Sequence, residues 1–537
     1  MGNKARRHRI GLSAGARNLH VKQHFKYKLV GGGILIGLLT GLVIGGFRLL
    51  LSYADVQRNK LVDIARAGGA DAVVVFAVLI ALAVIISLLL RFEPQISGSG
   101  IPQVEGELRG QVDQNWLRTL LGKLAGCALA IGGGLALGRE GPSIQIGAML
   151  GKGLARGTGR LLTEERMLMT AGAGAGLAAA FGAPLAGAIF SLEELHKNFS
   201  AEVLISTLAA TVVSDFTAAN IVGVTPVFNL DVENRLPLKF YWSVILLGVL
   251  IGVFGAFYNK MIDIMQNLFT GLRKPEFRMI FIISVSYVLM FFCPDVLGSG
   301  NSMVTDIVGG DIAIGVLAAL LIVKFFFSTA SFGSGSPGGI FLPLLVLGAL
   351  AGGLYCKALG MIAGIDQQYM TSYVLIAMTG YFAAIVRAPV TGIILLTEMT
   401  GNFYSLLAMS VTSLVAYVTS DLLNAEPIYD QLLKKRLGKA SSGDNITRTD
   451  AEKGGEPNRK IIIDSEVYIG SYMDGKTLDK IELPHGSLVL TIFRDGEEII
   501  PGGGTVIKGG DELEILCRNA DIAATDMRLE ARCRTIL

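Results

Sequence analysis

The chain has 537 residues, 51% of them hydrophobic and only 17% charged, with 68 glycines and a formal net charge of +3. A soluble protein of this length does not show that balance, so most of the chain belongs in lipid. Its five cysteines contain no C-x-x-C pair and its five histidines show no ligand spacing, so neither a metal site nor a disulfide is expected.

Residues 1–28 form a basic arm. Lys4, Arg6, Arg7, Arg9, Arg17, Lys22, Lys26 and Lys28 meet no acidic residue there, which by the positive-inside rule puts the amino terminus in the cytoplasm, beside anionic lipid head groups and not nucleic acid. The apolar segment that follows is too long for a signal-peptide core. The membrane body spans residues 29–433, in halves of about 29–230 and 240–433 that meet in the polar stretch 231–239. Leu29 to Phe47 and Ala72 to Leu90 are nineteen residues each without a charge, enough to cross a hydrocarbon core of about 30 Å. Ile312 to Val323 and Val390 to Thr397 are too brief to span alone and predict half-helices or re-entrant segments.

The two halves repeat one another. Gly138, Pro142, Gly147, Ala148 and Gly151 recur as Gly339, Pro343, Gly348, Ala349 and Gly352 at a spacing of 201 residues. Gly98-Ser99-Gly100 recurs at 200 as Gly298-Ser299-Gly300, and Ala183, Pro184, Gly187 and Glu193 recur at 205 as Ala388, Pro389, Gly392 and Glu398. Apolar segments broken by Gly and Pro at corresponding places in two halves point to a binding site at the repeat interface, lined by interrupted helices.

Within Gly138-Arg139-Glu140-Gly141-Pro142, Glu140 is the first candidate functional residue, because an ionisable group inside a membrane is costly and faces a cavity, a partner or a proton path. Arg139 is its neighbour in sequence, and adjacent helical residues do not face each other. Pro142 suits the first turn of a helix, so a helix N-terminus is predicted here, with unpaired N–H groups and a partial positive charge suited to an anion. The repeat supplies a second such terminus at Gly339, Ile340 and Phe341, with backbone amides as its only donors. Glu193 has a mate in the second half, but Glu194 stands opposite Met399, and that asymmetry makes Glu194 a second candidate, against the alternative of a solvated interfacial acid.

Residues 434–459, rich in Lys, Gly, Ser, Asp and Asn, read as a flexible linker. Residues 460–537 read as a small soluble domain. Ile461 to Ile463, Ser487 to Phe493, Glu498 to Ile500 and Glu512 to Cys517 are β-prone runs, separated by turn signals at Asp474-Gly475, Pro484-His485-Gly486, Asp495-Gly496 and Gly502-Gly503-Gly504. A core this small predicts dimerisation.

Gly98-Ser99-Gly100-Ile101-Pro102, Gly138 to Pro142 and Gly339 to Pro343 resemble the three anion-site signatures of the CLC chloride channel and transporter family. The resemblance implies an α-helical polytopic membrane protein with two inverted repeats and broken helices, followed by a small α/β cytoplasmic domain. It further implies a homodimer with one ion pathway per subunit, multi-pass in the cell membrane of a bacterium, both termini cytoplasmic. It assigns Ser99 as hydroxyl donor to the anion, Ile340 and Phe341 as backbone donors, Tyr429 as phenol donor from the cytoplasmic side, Glu140 as the gating glutamate and Glu194 as the inner proton acceptor. Chloride is the bound ion, with no cofactor. Read without the family, Tyr429 could equally be an interfacial anchor. The implied function is chloride/proton antiport, the alternative a passive voltage- or ligand-gated chloride channel of the same fold. A fluoride exchanger is disfavoured because that branch departs from these motifs, and an enzyme because the core has no nucleophile-base pair. The tail resembles the TrkA-C (RCK-C) module of bacterial potassium-transport regulators, which implies a regulatory ligand, cyclic di-AMP first, with Arg494 on phosphate and Ile492, Phe493 and Pro501 on the bases. The alternatives are an assembly domain, and a surface pair of Arg494 with Asp495.

Overall fold

Eight helices follow one another in the first half of the chain, and eight more repeat their order in the second. The first set is α1 (Ala14–Ala67), α2 (Gly69–Phe92), α3 (Ile101–Leu108), α4 (Trp116–Gly132), α5 (Glu140–Gly157), α6 (Leu162–Phe181), α7 (Pro184–Phe190) and α8 (Ala201–Val222). The second is α9 (Tyr241–Gly271), α10 (Pro275–Phe292), α11 (Asn301–Gly309), α12 (Ile314–Gly333), α13 (Phe341–Ala363), α14 (Met370–Val386), α15 (Pro389–Thr400) and α16 (Leu406–Leu422). Even the 3₁₀ turn Pro94–Ile96 ahead of α3 has its mate, Pro294–Val296, ahead of α11. The packing repeats too: α1 lies on α8 as α9 lies on α16, and α5 on α6 as α13 on α14, while α2 with α10 and α7 with α15 join the halves. Small residues let these helices approach closely in lipid; a Cβ at Gly147 of α5 would collide with the Gly172 backbone of α6. Helix α17 (Ile428–Gly443) ends the series.

This computed structural model describes residues 14–160, 162–197, 201–224, 228, 230, 235–272, 274–309, 312–443, 460–467, 471–481, 483, 486–494 and 497–518. The start of the basic arm, residues 231–234 of the junction between halves, linker residues 444–459, the turn residues Pro484, His485, Asp495 and Gly496, and everything after 518 lie outside them.

Among the described residues, eight helices are long and apolar enough to cross a membrane, and the chain is a multi-pass membrane protein. One expectation is corrected. The run Ile312 to Val323 does not stop as a half-helix: α12 continues through Lys324 for 20 residues. Lys324 interrupts the apolar run in sequence, but its ammonium is buried and donates to two backbone carbonyls, so the charge does not end the helix. Val390 to Thr397 lies in α15, which at 12 residues stays short.

The chain divides into two compact units, residues 1–435 and 436–537. In the second, β1 (Lys460–Glu466), β2 (Leu488–Arg494), β3 (Glu497–Ile499) and β4 (Glu512–Arg518) form an antiparallel sheet in the order β1-β4-β2-β3, each strand on one of the predicted β-prone runs. Its core is Val467, Met473, Ile481, Val489, Ile492, Ile507, Leu513 and Ile515.

Candidate functional site

The repeated motifs meet at the centre of the membrane body, joined by backbone. Gly138 N–H donates to Gly339 O and Gly339 N–H to Gly138 O, both at 2.7 Å, so the two helix-opening signatures form an antiparallel bridge. Gly98 N–H donates to Ser336 O at 3.2 Å and Gly338 N–H to Gly98 O at 3.0 Å, which ties the Ser99 loop to the same place. These irregular segments are tolerable at membrane depth because they satisfy one another.

The Ser99 loop turns sharply: Gly98 and Gly100 have φ of 71° and 98°, and their mates Gly298 and Gly300 have 63° and 83°. Those left-handed values explain why the repeat keeps glycine there. Ser99 is buried and its Oγ accepts from Ile101 N–H at 3.3 Å, leaving its hydroxyl proton to donate elsewhere. Gly141 backs onto this loop, where a Cβ would fall 2.8 Å from Ser99 O.

Helix α5 begins at Glu140 with Arg139 as N-cap, and α13 begins at Phe341 with Ile340 as N-cap; neither cap residue supplies a side-chain hydrogen bond, so the first-turn amides are left for another acceptor. Ile340 and Phe341 are both buried. Glu140 is fully buried, and its carboxylate faces backbone amides, its own and that of Leu342, with no side-chain donor among the described residues. Its carboxylate lies where a Cβ on Gly138 would be, a position 3.1 Å from the Leu342 amide nitrogen. An acid side chain thus occupies the space between the two helix N-termini. Arg139 forms no ion pair with Glu140 among the described residues, although the two charges lie within electrostatic reach.

Glu194 lies in a π-helical turn, Ser191–His196, that continues α7. Such turns carry an extra residue and are frequent at functional sites. Here the turn separates the fates of adjacent acids. Glu193 accepts from Val390 and Thr391 N–H, at 3.3 and 2.8 Å, and so caps α15, while Glu398 accepts from Leu185 and Ala186 N–H at 3.1 and 2.8 Å and caps α7. Each repeat caps the other, which is the structural role of the shared acid. Glu194 is buried instead, and its Oε1 has no hydrogen-bond partner among the described residues. Tyr429, the second residue of α17, is fully buried with its Oη unpartnered, and lies within electrostatic reach of both Glu194 and Glu140.

The sequence reading missed two lysines. Lys123 of α4 donates to Ile96 O at 2.9 Å and Gly98 O at 2.6 Å, and Lys324 of α12 donates to Val296 O at 2.8 Å and Gly298 O at 2.9 Å. Both are fully buried. Each pins the carbonyl that directly precedes the serine of its Gly-Ser-Gly loop. The signal was present, since 123 and 324 differ by the same 201 residues as Gly138 and Gly339. Also missed were Tyr258 and Tyr381, buried phenols whose rings lie 6.0 Å apart.

In the tail, the four residues expected on a ligand do not share a free surface. Arg494 is not a spare phosphate donor: Nε and Nη2 each donate to Asp511 at 2.7 Å, and Nη2 also donates to Val506 O at 2.6 Å. Its described acidic partner is Asp511; Asp495 lies outside the described residues. Ile492 faces the tail's own core and is fully buried, so it cannot stack on a base; Phe493 and Pro501 are partly exposed.

A family profile described as "Voltage gated chloride channel" matches residues 80–421, and one described as "TrkA-C domain" matches residues 462–529. The chain is 35% identical over 419 residues to an H(+)/Cl(-) exchange transporter ClcA of Vibrio campbellii, covering 75% of this chain and 88% of that one. It is 37% identical over 365 residues to the protein of the same name from Vibrio cholerae, covering 65% and 76%. Among solved structures, it resembles a slow cyanobacterial Cl-/H+ antiporter at a TM-score of 0.72 and 30% identity, covering 76% of this chain and 98% of that one. Similarity to a CLC-type fluoride/proton antiporter, at a TM-score of 0.62 and 20% identity over 75% and 97%, concerns the fold alone. With a profile spanning more than half of its length and relatives this similar, the chain belongs to the CLC family of voltage gated chloride channels, and it carries a TrkA-C domain at its carboxy-terminal end.

Proposed function

We propose that this protein exchanges chloride for protons across the bacterial cell membrane. The observation that carries the reading is the Glu140 carboxylate, buried against the backbone amides of Glu140 and Leu342 at the N-termini of α5 and α13. Those termini suit an anion, and a carboxylate there stands in for one. Protonation neutralises it and frees the position, so proton uptake and chloride entry compete at one place. In this reading chloride is held by the Ser99 hydroxyl, the amides of Ile340 and Phe341, and the Tyr429 phenol, with Gly138, Arg139, Gly141 and Gly339 forming the wall. Glu194 receives protons from the cytoplasmic side. These roles fit the relatives' being H(+)/Cl(-) exchange transporters. The protein acts as a homodimer with one pathway per subunit and both termini in the cytoplasm.

The carboxy-terminal unit is the regulatory part of this reading. It responds to a small cytoplasmic ligand, for which cyclic di-AMP is the first candidate, bound over Phe493 and Pro501 and not through Arg494; calorimetry on the full-length protein tests it. For transport, the test is proteoliposomes with chloride flux and external pH recorded together. A chloride gradient should drive protons uphill, and Glu140→Gln, a neutral mimic of the protonated acid, should abolish that while chloride still flows. Chloride flux without proton movement in the wild type would make the protein a passive channel.

A further inference from the structure

A cluster of charges joins three elements of the proposed pathway. Lys197 Nζ lies 2.9 Å from Glu105 Oε1 and 2.8 Å from Asp430 Oδ1. Arg109 Nη2 lies 2.6 Å from the same Glu105 oxygen and 3.6 Å from Asp430. Glu105 and Arg109 belong to α3 and its C-terminal end, the helix that the Ser99 loop opens. Lys197 directly follows the π-helical turn that carries Glu194. Asp430 is the neighbour of Tyr429 in the first turn of α17. Glu105 is fully buried, and Lys197 has φ of 52°, a left-handed conformation uncommon for a residue with a Cβ and found where the surroundings over-determine it.

We propose that Lys197 is a positioning residue: by clamping Asp430 against Glu105 it holds the first turn of α17 in place, so that the Tyr429 phenol stays across the inner end of the pathway and chloride does not slip past without a proton. The inference rests on the antiport reading. The second turn of α17 is fastened separately, by Lys435 to Asp263 of α9 at 2.6 Å. Glu105 and Asp430 both keep Arg109 when Lys197 is removed. Loss of Lys197 therefore leaves the first turn of α17 on the single, longer Arg109 contact, which loosens it without leaving a buried acid wholly unpaired, and the fold should survive.

The test uses the full-length protein in proteoliposomes, with chloride and proton fluxes measured together. Lys197→Met should raise the chloride-to-proton flux ratio roughly fivefold, the shift expected when one partly buried pair no longer biases two positions of the gate. Lys197→Arg should restore the wild-type ratio. Asp430→Asn should raise it similarly, and the double variant should be no worse than either single one, since both remove the same contact. Should Lys197→Met fail to fold, Asp430→Asn with Lys197→Arg decides the matter. A ratio unchanged in both Lys197→Met and Asp430→Asn, with a coupled wild type, overturns the clamp. A wild type that moves no protons overturns the antiport reading instead; the clamp is then judged on chloride flux alone, which Lys197→Met must raise.

Discussion

Replacing Lys123 with Met removes a buried ammonium that donates to Ile96 O and Gly98 O, the second being the carbonyl just before Ser99. Hydrogen bonds from a charged donor contribute about 1.5–3 kcal/mol each, and Ile96 O left unsatisfied costs about 1–3 kcal/mol, whereas Gly98 O keeps its bond from Gly338 N–H. Against this, Met avoids the several kcal/mol needed to desolvate an ammonium, so the expected net loss of stability is about 2 kcal/mol and not the full sum. The effect on chloride is separable. Gly98 O keeps its bond from Gly338 N–H but loses the ammonium, so its negative end is no longer offset beside the anion and the Ser99 loop is held by one bond fewer. One such hydrogen bond lost is about 1.4 kcal/mol, or about tenfold in affinity. Lys324→Met is the internal control, because it breaks the same pair of bonds, to Val296 O and Gly298 O, in a loop whose Ser299 has no place in the proposed anion site. It should destabilise the protein comparably and leave chloride affinity within about twofold, as expected of a site that shares no partner with the anion. Chloride calorimetry in detergent, paired with thermal unfolding, reads both quantities. Equal weakening of chloride binding in the two variants, or a destabilised Lys123→Met with unchanged affinity, would refute the reasoning.

Glu194→Gln should reduce proton flux by about a hundredfold or more while chloride flux continues, as expected when a positioned proton acceptor is removed; paired flux recordings check it, and normal proton pumping removes Glu194 from the relay. Ser99→Pro exchanges a hydroxyl donor for a residue with none, and should shift preference from chloride toward nitrate by about tenfold in competition flux measurements. In the tail, burial raises the Asp511 carboxyl, but the hydrogen bonds from Arg494 and from the Lys508 amide, with the charges of both residues, outweigh it and hold it below the usual carboxylate range. The unfolded chain therefore binds that proton at a higher pH than the folded one. The stabilisation is complete above the ordinary carboxylate pKa of about 4 and is lost as pH falls through the folded value. Asp511→Asn should cost the tail about 1–2 kcal/mol at neutral pH and flatten its acid sensitivity below about pH 4, read from its unfolding transition in the full-length protein.

Much of the architecture can be read locally. Helix α5 starts at Glu140 with Pro142 in its first turn because a missing N–H is no loss there, and the matching glycines and prolines place α13 the same way 201 residues on. The four tail strands follow from β-prone runs between turn residues. Such features depend on neighbours a few residues apart, which a sequence displays directly. Partnership across the halves is different. That Glu193 caps α15 while Glu398 caps α7, and that Gly138 pairs with Gly339, depends on how two inverted repeats pack, with partners about two hundred residues distant. The same limit explains Lys324, whose charge ends an apolar run in the sequence while folding brings two carbonyls to its ammonium. It also explains Arg494. In sequence its neighbour is Asp495, but pairing of Phe493 with Glu512 in the β2–β4 register brings Asp511 alongside the guanidinium. Period and composition determined which segments become helices and strands; tertiary packing alone decided which charges are paired and which carboxylates are left buried without a side-chain donor, because only packing removes water from one acid and supplies donors to the next.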